Sequence, residues 1–416
     1  MSPVAASNHG SINGLWRRYR KLPRNVVAIG LVSLLNDASS EIIYPLLPVF
    51  LATSLGASAW AIGTIEGLAE SISSLLKLFA GYISDRLAKR KLLVVAGYSL
   101  ASVVRPLLAF AQTWTQVLAI RLTDRVGKGV RTAPRDAMIA DTVSVEQRGI
   151  AFGFHRAMDH AGAVIGPLIG YVLVILLVAN AASPTRGEFS RIFLIASIPA
   201  LIAVMVAIFF MRESPVSEQQ GAEIVKLSLR GFDGNFKRYL VVLALFTLSN
   251  SSDSFLILRA TESGVSIALV PLLWAANHGM KVLSSLLGGD LSDRLGRKRL
   301  IVAGWLLYAA VYAGFAFANT KASLWVLFLI YGIYFGLAEG AEKALVADMV
   351  RPEQRGTAYG LYNLAFGITV FPASLLMGMI WDWKGPSVAF LVNAAMGATA
   401  ALLLLVLVKP RTQQVA

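Results

Sequence analysis

The chain has 416 residues, 56% hydrophobic and 15% charged, with a net charge of +14 and no cysteine. A soluble domain carries about 25% charge, so a large water-soluble core is excluded, and disulfides and thiolate metal sites cannot form. A membrane-spanning helix needs roughly 20 apolar residues, and such stretches recur along the chain.

Residues 1–24 are polar and end in a basic run, Trp16-Arg17-Arg18-Tyr19-Arg20-Lys21, before the first apolar span. This reads as a tail leading into a retained helix and not as a cleaved signal. Twelve spans are expected at 26–50, 59–84, 92–111, 115–140, 151–178, 192–211, 239–258, 266–291, 300–318, 324–348, 357–381 and 387–408. Placing both termini inside puts roughly 23 of the 38 basic residues in tails and inside loops, against roughly 5 in outside loops. The high net charge is therefore expected to serve topology in the lipid bilayer, with no nucleic-acid partner.

A duplication organises the chain. Gly81-Tyr82-Ile83-Ser84-Asp85-Arg86 is matched by Gly289-Asp290-Leu291-Ser292-Asp293-Arg294, an offset of 293 − 85 = 208. Ile139-Ala140-Asp141 is matched by Val346-Ala347-Asp348, and both are followed by Glu-Gln-Arg-Gly, at 146–149 and 353–356, an offset of 207. The expected organisation is a tail (1–24), a six-helix bundle (25–211), a cytoplasmic linker (212–238), a second six-helix bundle (239–408) and a tail (409–416). Such repeats are characteristic of secondary transporters.

At these residues the chain resembles the major facilitator superfamily. The loop after the eighth span, Gly289-x-x-x-Asp293-Arg294-Leu295-Gly296-Arg297-Lys298-Arg299, carries the family's signature in full. The first copy has Ala88 where the second has Gly296. Gly162-x-x-x-Gly166-Pro167-x-x-Gly170 is similar to the fifth-helix motif of exporters that run as antiporters. The resemblance implies an all-α fold of twelve transmembrane helices in two pseudo-symmetric bundles, working by alternating access. Gly81, Asp85, Arg86, Gly289, Asp293 and Arg294 are expected at a cytoplasmic gate. A helix-end carboxylate there can latch one state closed. Arg135-Asp136 and Glu342-Lys343, matched in the repeat, are expected to bridge the halves at the same mouth.

Charges inside spans carry the most information. One at a helix centre costs roughly 2.5–3.5 kcal/mol on insertion scales, so these residues should face a cavity or each other. Asp37, Glu41, Glu66, Glu70 and Asp159 are the candidate proton-coupling groups. Two carboxylates one turn apart and out of water, as at Asp37 and Glu41, favour a shared proton. The competing expectation bridges them permanently to Arg121 or Arg125. Asn36, Arg121, Arg125, Asn250, Asp253, Trp274, His278 and Lys281 are the candidate substrate-binding groups. Asp124 with Arg125, and Asp159 with Arg156, are possible structural pairs. Glu70 and His278 occupy matched positions, since 278 − 70 = 208.

Three functions follow. The leading one is efflux of a small solute by proton-coupled antiport. The second is proton-coupled uptake or exchange of an organic anion, favoured by the arginine-rich fourth span. The third is a non-transporting receptor or scaffold. No nucleophile–base motif, phosphate loop or metal-ligand spacing points to an enzyme, a cofactor or a metal. A monomer in a bacterial-type inner membrane is expected.

Overall fold

The computed structural model describes residues 22–87, 89–144, 147–181, 183–213, 228–351 and 354–409. Among them the chain forms twelve helical spans, labelled α1 (Arg24–Ser54), α2 (Ala59–Leu87), α3 (Arg90–Phe110), α4 (Trp114–Thr142), α5 (Arg148–Leu177), α6 (Arg186–Phe210), α7 (Gly234–Glu262), α8 (Val270–Leu295), α9 (Arg297–Phe317), α10 (Lys321–Met349), α11 (Arg355–Lys384) and α12 (Pro386–Leu407). Most of the described spans are joined by only a few residues, the stretch between α6 and α7 excepted. Local chemistry sets several starts. Thr113 caps α4 by accepting from the Gln116 amide, and Thr320, 207 residues on, caps α10 from the Ser323 amide. Thr185 and Glu188 form a capping box at α6. Gly296 joins α8 to α9 at φ 86°, a left-handed conformation that a side chain resists.

The sequence reading makes the first and seventh spans continuous, and both are broken. The α1 helix runs Arg24–Ile43, stops around Tyr44-Pro45-Leu46 and resumes at Leu47. The α7 helix runs Gly234–Ser249 and resumes at Ser254. Pro45 removes an amide donor in the first case. In the second, the run Asn250-Ser251-Ser252-Asp253 competes for backbone hydrogen bonds. The breaks are related by the same offset as the motifs.

Among the described residues, nine of these spans are long and apolar enough to cross a membrane on length and composition alone. The exceptions are α2, α4 and α8, which carry much of the charge facing the central cavity. Outward faces are apolar, as on α5 and α6, where Leu176 is 71% exposed and Phe209 66%. That distribution is a lipid-facing belt with a polar interior.

Within each half, Arg90 pairs with Asp141 and Arg297 with Asp348. Both the arginines and the aspartates are 207 residues apart, so one clamp is used twice, tying α3 to α4 and α9 to α10. The halves meet along α2 against α11 and α5 against α8. At the end opposite the termini the Asp382 carboxylate accepts from the amides of Ala59 and Trp60, at 3.0 and 2.9 Å. It thereby caps α2 from across the interface. Further along, the Ser71 hydroxyl donates to the Gly367 carbonyl. At the terminal end Arg156 and Glu339 face each other at 3.9 Å, both half-exposed or more.

Candidate functional site

The broken α1, with α2, α3, α4, α5, α7 and α8, lines a central cavity of about 430 Å³. Eight Lys and Arg side chains line it, against five Asp and Glu. Arg105 donates to Asp124 at 2.9 Å and also reaches the Asn36 carbonyl and Ser39. Arg121 grips Glu66 through both carboxylate oxygens, at 2.7 and 3.0 Å, with both residues buried. Lys281 lies 3.4 Å from Asp253, which also accepts from the Tyr331 hydroxyl at 2.5 Å.

This pairing revises several expectations. Glu66 and Arg121, expected as proton carrier and substrate ligand, bind each other. Asp124 pairs with Arg105 and not with its neighbour Arg125. Asp159 lies 3.6 Å from His155, while Arg156 points to Glu339. Arg135 bonds Asp136 at 3.0 Å, and Glu342 accepts from Trp305 and Tyr362 at 2.8 and 2.9 Å. The expected Arg135–Glu342 bridge is thus absent between these described residues, because each has a nearer partner in its own half. Arg294 is exposed; the side chains at Gly81, Asp85, Arg86, Gly289 and Asp293 lie outside the described residues.

The proton-coupling candidates on α1 have neutral partners. Asp37 accepts from Asn36 at 3.0 Å. Glu41 accepts from the Trp274 indole at 2.8 Å, across the two halves, with His278 3.9 Å away. No described residue forms an ion pair between these carboxylates and Arg121 or Arg125, so the permanent-bridge alternative does not hold in this state. Gly162 and Gly166 bring α5 onto this stretch. A methyl group at either would meet the Leu34 or Ala38 carbonyl at 2.6 Å. Gly170 packs more loosely, between Ile42 and Pro271, and Pro167 sits inside α5.

One face of α4 stands out. Arg125, Lys128 and Arg131, three residues apart, line the cavity, and Lys77 joins them from α2. Among the described residues none of the four has a carboxylate partner within salt-bridge distance. The Arg125 Nε and Arg131 Nη1 donors are buried without a hydrogen-bond acceptor. Arg131 also lies over the Tyr98 ring, at 4.4 Å. Glu70 lies in the field of Lys128, Arg125 and Lys77.

A second cavity of about 310 Å³ adjoins the first, and Lys77 borders both. Its wall includes Phe246, Tyr334, Phe335, Tyr362 and Phe366. Asn250, expected to bind substrate, lines this second cavity and donates to the Tyr334 hydroxyl at 3.0 Å. Sequence reasoning missed Arg105 as a site residue, although a lone arginine before Pro106 in an apolar span was a visible signal. The aromatic wall was invisible, since rings within spans are ordinary core residues until their neighbours are known.

The Major Facilitator Superfamily model matches residues 29–276 and again 239–416. An MFS-type transporter of Methanocaldococcus jannaschii is 35% identical over 392 residues, covering 93% of this chain and 95% of the relative. Multidrug resistance protein MdtH of Aeromonas hydrophila is 23% identical over 93% of this chain and 96% of its own. The nucleoside transporter NupG superposes with a TM-score of 0.78 at 13% identity, over 92% of this chain and all of that one, which shows the fold. The chain belongs to the Major Facilitator Superfamily and is a multi-pass membrane transporter of small molecules.

Proposed function

We propose that this transporter carries a small organic anion by alternating access, together with protons. The observation behind this reading is the α4 strip Arg125-Lys128-Arg131, whose cations line the cavity without carboxylate partners among the described residues. Buried donors of this kind cost free energy unless something accepts from them, and an anion would do so. Asp37, Glu41 and Asp159 stand on the facing helices α1 and α5. Protonating them leaves the cavity more positive, so proton and anion binding favour one another. Charge balance therefore supports symport, or exchange of one anion for another. A cationic cargo would compete with protons for the same carboxylates and give antiport. With the termini on the cytoplasmic side, as the basic residues lead one to expect, the cap of Asp382 on α2 closes the outside and the state is inward-open.

The similarity to multidrug resistance protein MdtH favours a second reading, efflux of a drug-like solute. One assay separates the two. In proteoliposomes, methanesulfonate, a permanent anion that does not leak as a free acid, should enter faster with an acidic exterior. The Arg125→Gln, Lys128→Gln double variant should abolish that uptake. Proton-driven expulsion of tetraphenylphosphonium, with no methanesulfonate flux, would refute the anion reading.

A further inference from the structure

The two halves place opposite chemistry at equivalent positions. At an offset of 207 residues, Lys128 corresponds to Phe335, His155 to Tyr362 and Asp159 to Phe366. The buried Arg105–Asp124 pair corresponds to Tyr312 and Tyr331, whose ring centroids are 6.1 Å apart. At these matched positions the scaffold presents polar or charged groups in its N-terminal half and rings in its C-terminal half.

We infer that the cargo is an aromatic organic anion: its acidic group lies against Arg125, Lys128 and Arg131, and its ring enters the adjoining aromatic chamber. This rests on the anion reading above and adds the nature of the body attached to the charge. Lys77 borders both the chamber and the cationic cavity, with the ring on one side of it and the acidic group on the other in this arrangement. Phe335 already receives a cation, with Lys281 Nζ 3.9 Å from its ring centroid, so its face is turned toward polar space and not into lipid. Of the chamber's three carboxylates, Glu70 lies in the field of Lys128, Arg125 and Lys77, and the other two are hydrogen-bonded within the C-terminal half. Glu342 accepts from Trp305 and Tyr362, and Glu339 accepts from Lys343 at 2.8 Å. Phe335, Tyr362 and Phe366 contribute ring surface to the chamber wall beside these polar groups, and stacking on such surfaces adds to simple area burial.

The test uses purified full-length protein and three probes: 2-naphthalenesulfonate, with ring and charge; methanesulfonate, with charge alone; and 2-naphthalenemethanol, with ring alone. Naphthalenesulfonate should bind at least tenfold more tightly than either of the others. The Phe335→Leu, Phe366→Leu variant should lose that preference and keep its methanesulfonate affinity, which also shows that it is folded. Lys128→Gln should weaken both sulfonates. Equal affinity for the two sulfonates, each dependent on Lys128, overturns the aromatic inference and leaves the anion reading standing. Naphthalenemethanol binding as tightly as naphthalenesulfonate, or no binding of either sulfonate, overturns the anion reading and this inference with it.

Discussion

Arg121 and Arg125 sit one turn apart on α4 and have opposite fates. Arg121 is held by Glu66 with two short hydrogen bonds, out of water. Removing one member of such a pair leaves the other charge uncompensated, at a cost of about 3–5 kcal/mol. Glu66→Gln should therefore sharply reduce the folded fraction on heating, and the Glu66→Gln, Arg121→Gln double variant should recover most of the loss. If the double variant is no better than the single ones, the pair is not the unit of stability. Arg125 lacks a carboxylate within ion-pair distance among the described residues, so Arg125→Gln should leave thermal stability nearly unchanged. It should weaken methanesulfonate binding tenfold or more, equivalent to about 1.4 kcal/mol. Asp37 and Glu41 make a third case, since both accept from neutral donors. The Asp37→Asn, Glu41→Gln variant should retain anion counterflow but lose the response to a pH gradient. A normal gradient response would shift coupling to Glu70 or Asp159.

The same contrast holds between helices. The α5 helix lies close to α1 because Gly162 and Gly166 present no side chain to the Leu34 and Ala38 carbonyls. Gly166→Val would force the helices apart beside Glu41. Overpacking of this kind costs typically 1–3 kcal/mol, and the variant should unfold at lower temperature than Gly170→Ala, where the nearest atom is 3.4 Å from an added methyl. Equal melting temperatures would show that α1 adapts freely. The breaks in α1 and α7 matter in another way. They release Tyr44, Asn250 and Asp253 to the cavity walls at mid-chain positions that an unbroken helix would aim elsewhere.

Across the whole molecule, closure at the end away from the termini depends on contacts between halves that opening must break. Asp382 supplies two hydrogen bonds to the start of α2. Loss of a helix cap typically costs about 1 kcal/mol, enough to shift a two-state equilibrium several-fold. Asp382→Ala should therefore favour the state open at that end. On this naturally cysteine-free chain, a cysteine replacing Ala57 should react faster with an impermeant thiol reagent in the Asp382→Ala background. An unchanged rate would mean that the cap contributes nothing to closure. The orientation itself is tested at Lys89, where a substituted cysteine should be unreactive from outside intact cells.

Twelve spans, the duplication and the family motifs were legible in the sequence because hydropathy is a local, additive property and because motif spacing survives without coordinates. The concentration of charge in the fourth span was equally plain. What pairs with what was not. Asp124 was expected beside Arg125, but helix rotation carries it to Arg105, which α3 brings back after a turn of the chain. Glu66 and Arg121 are 55 residues apart in sequence and share no local pattern. Nor could the sequence separate the ring-lined chamber from ordinary packing, since Phe335 and Phe366 read as core until the cavity between helices is seen. Composition and period specify which faces avoid lipid; the packing of helices decides which of the polar groups on those faces are neutralised and which stay open to a ligand.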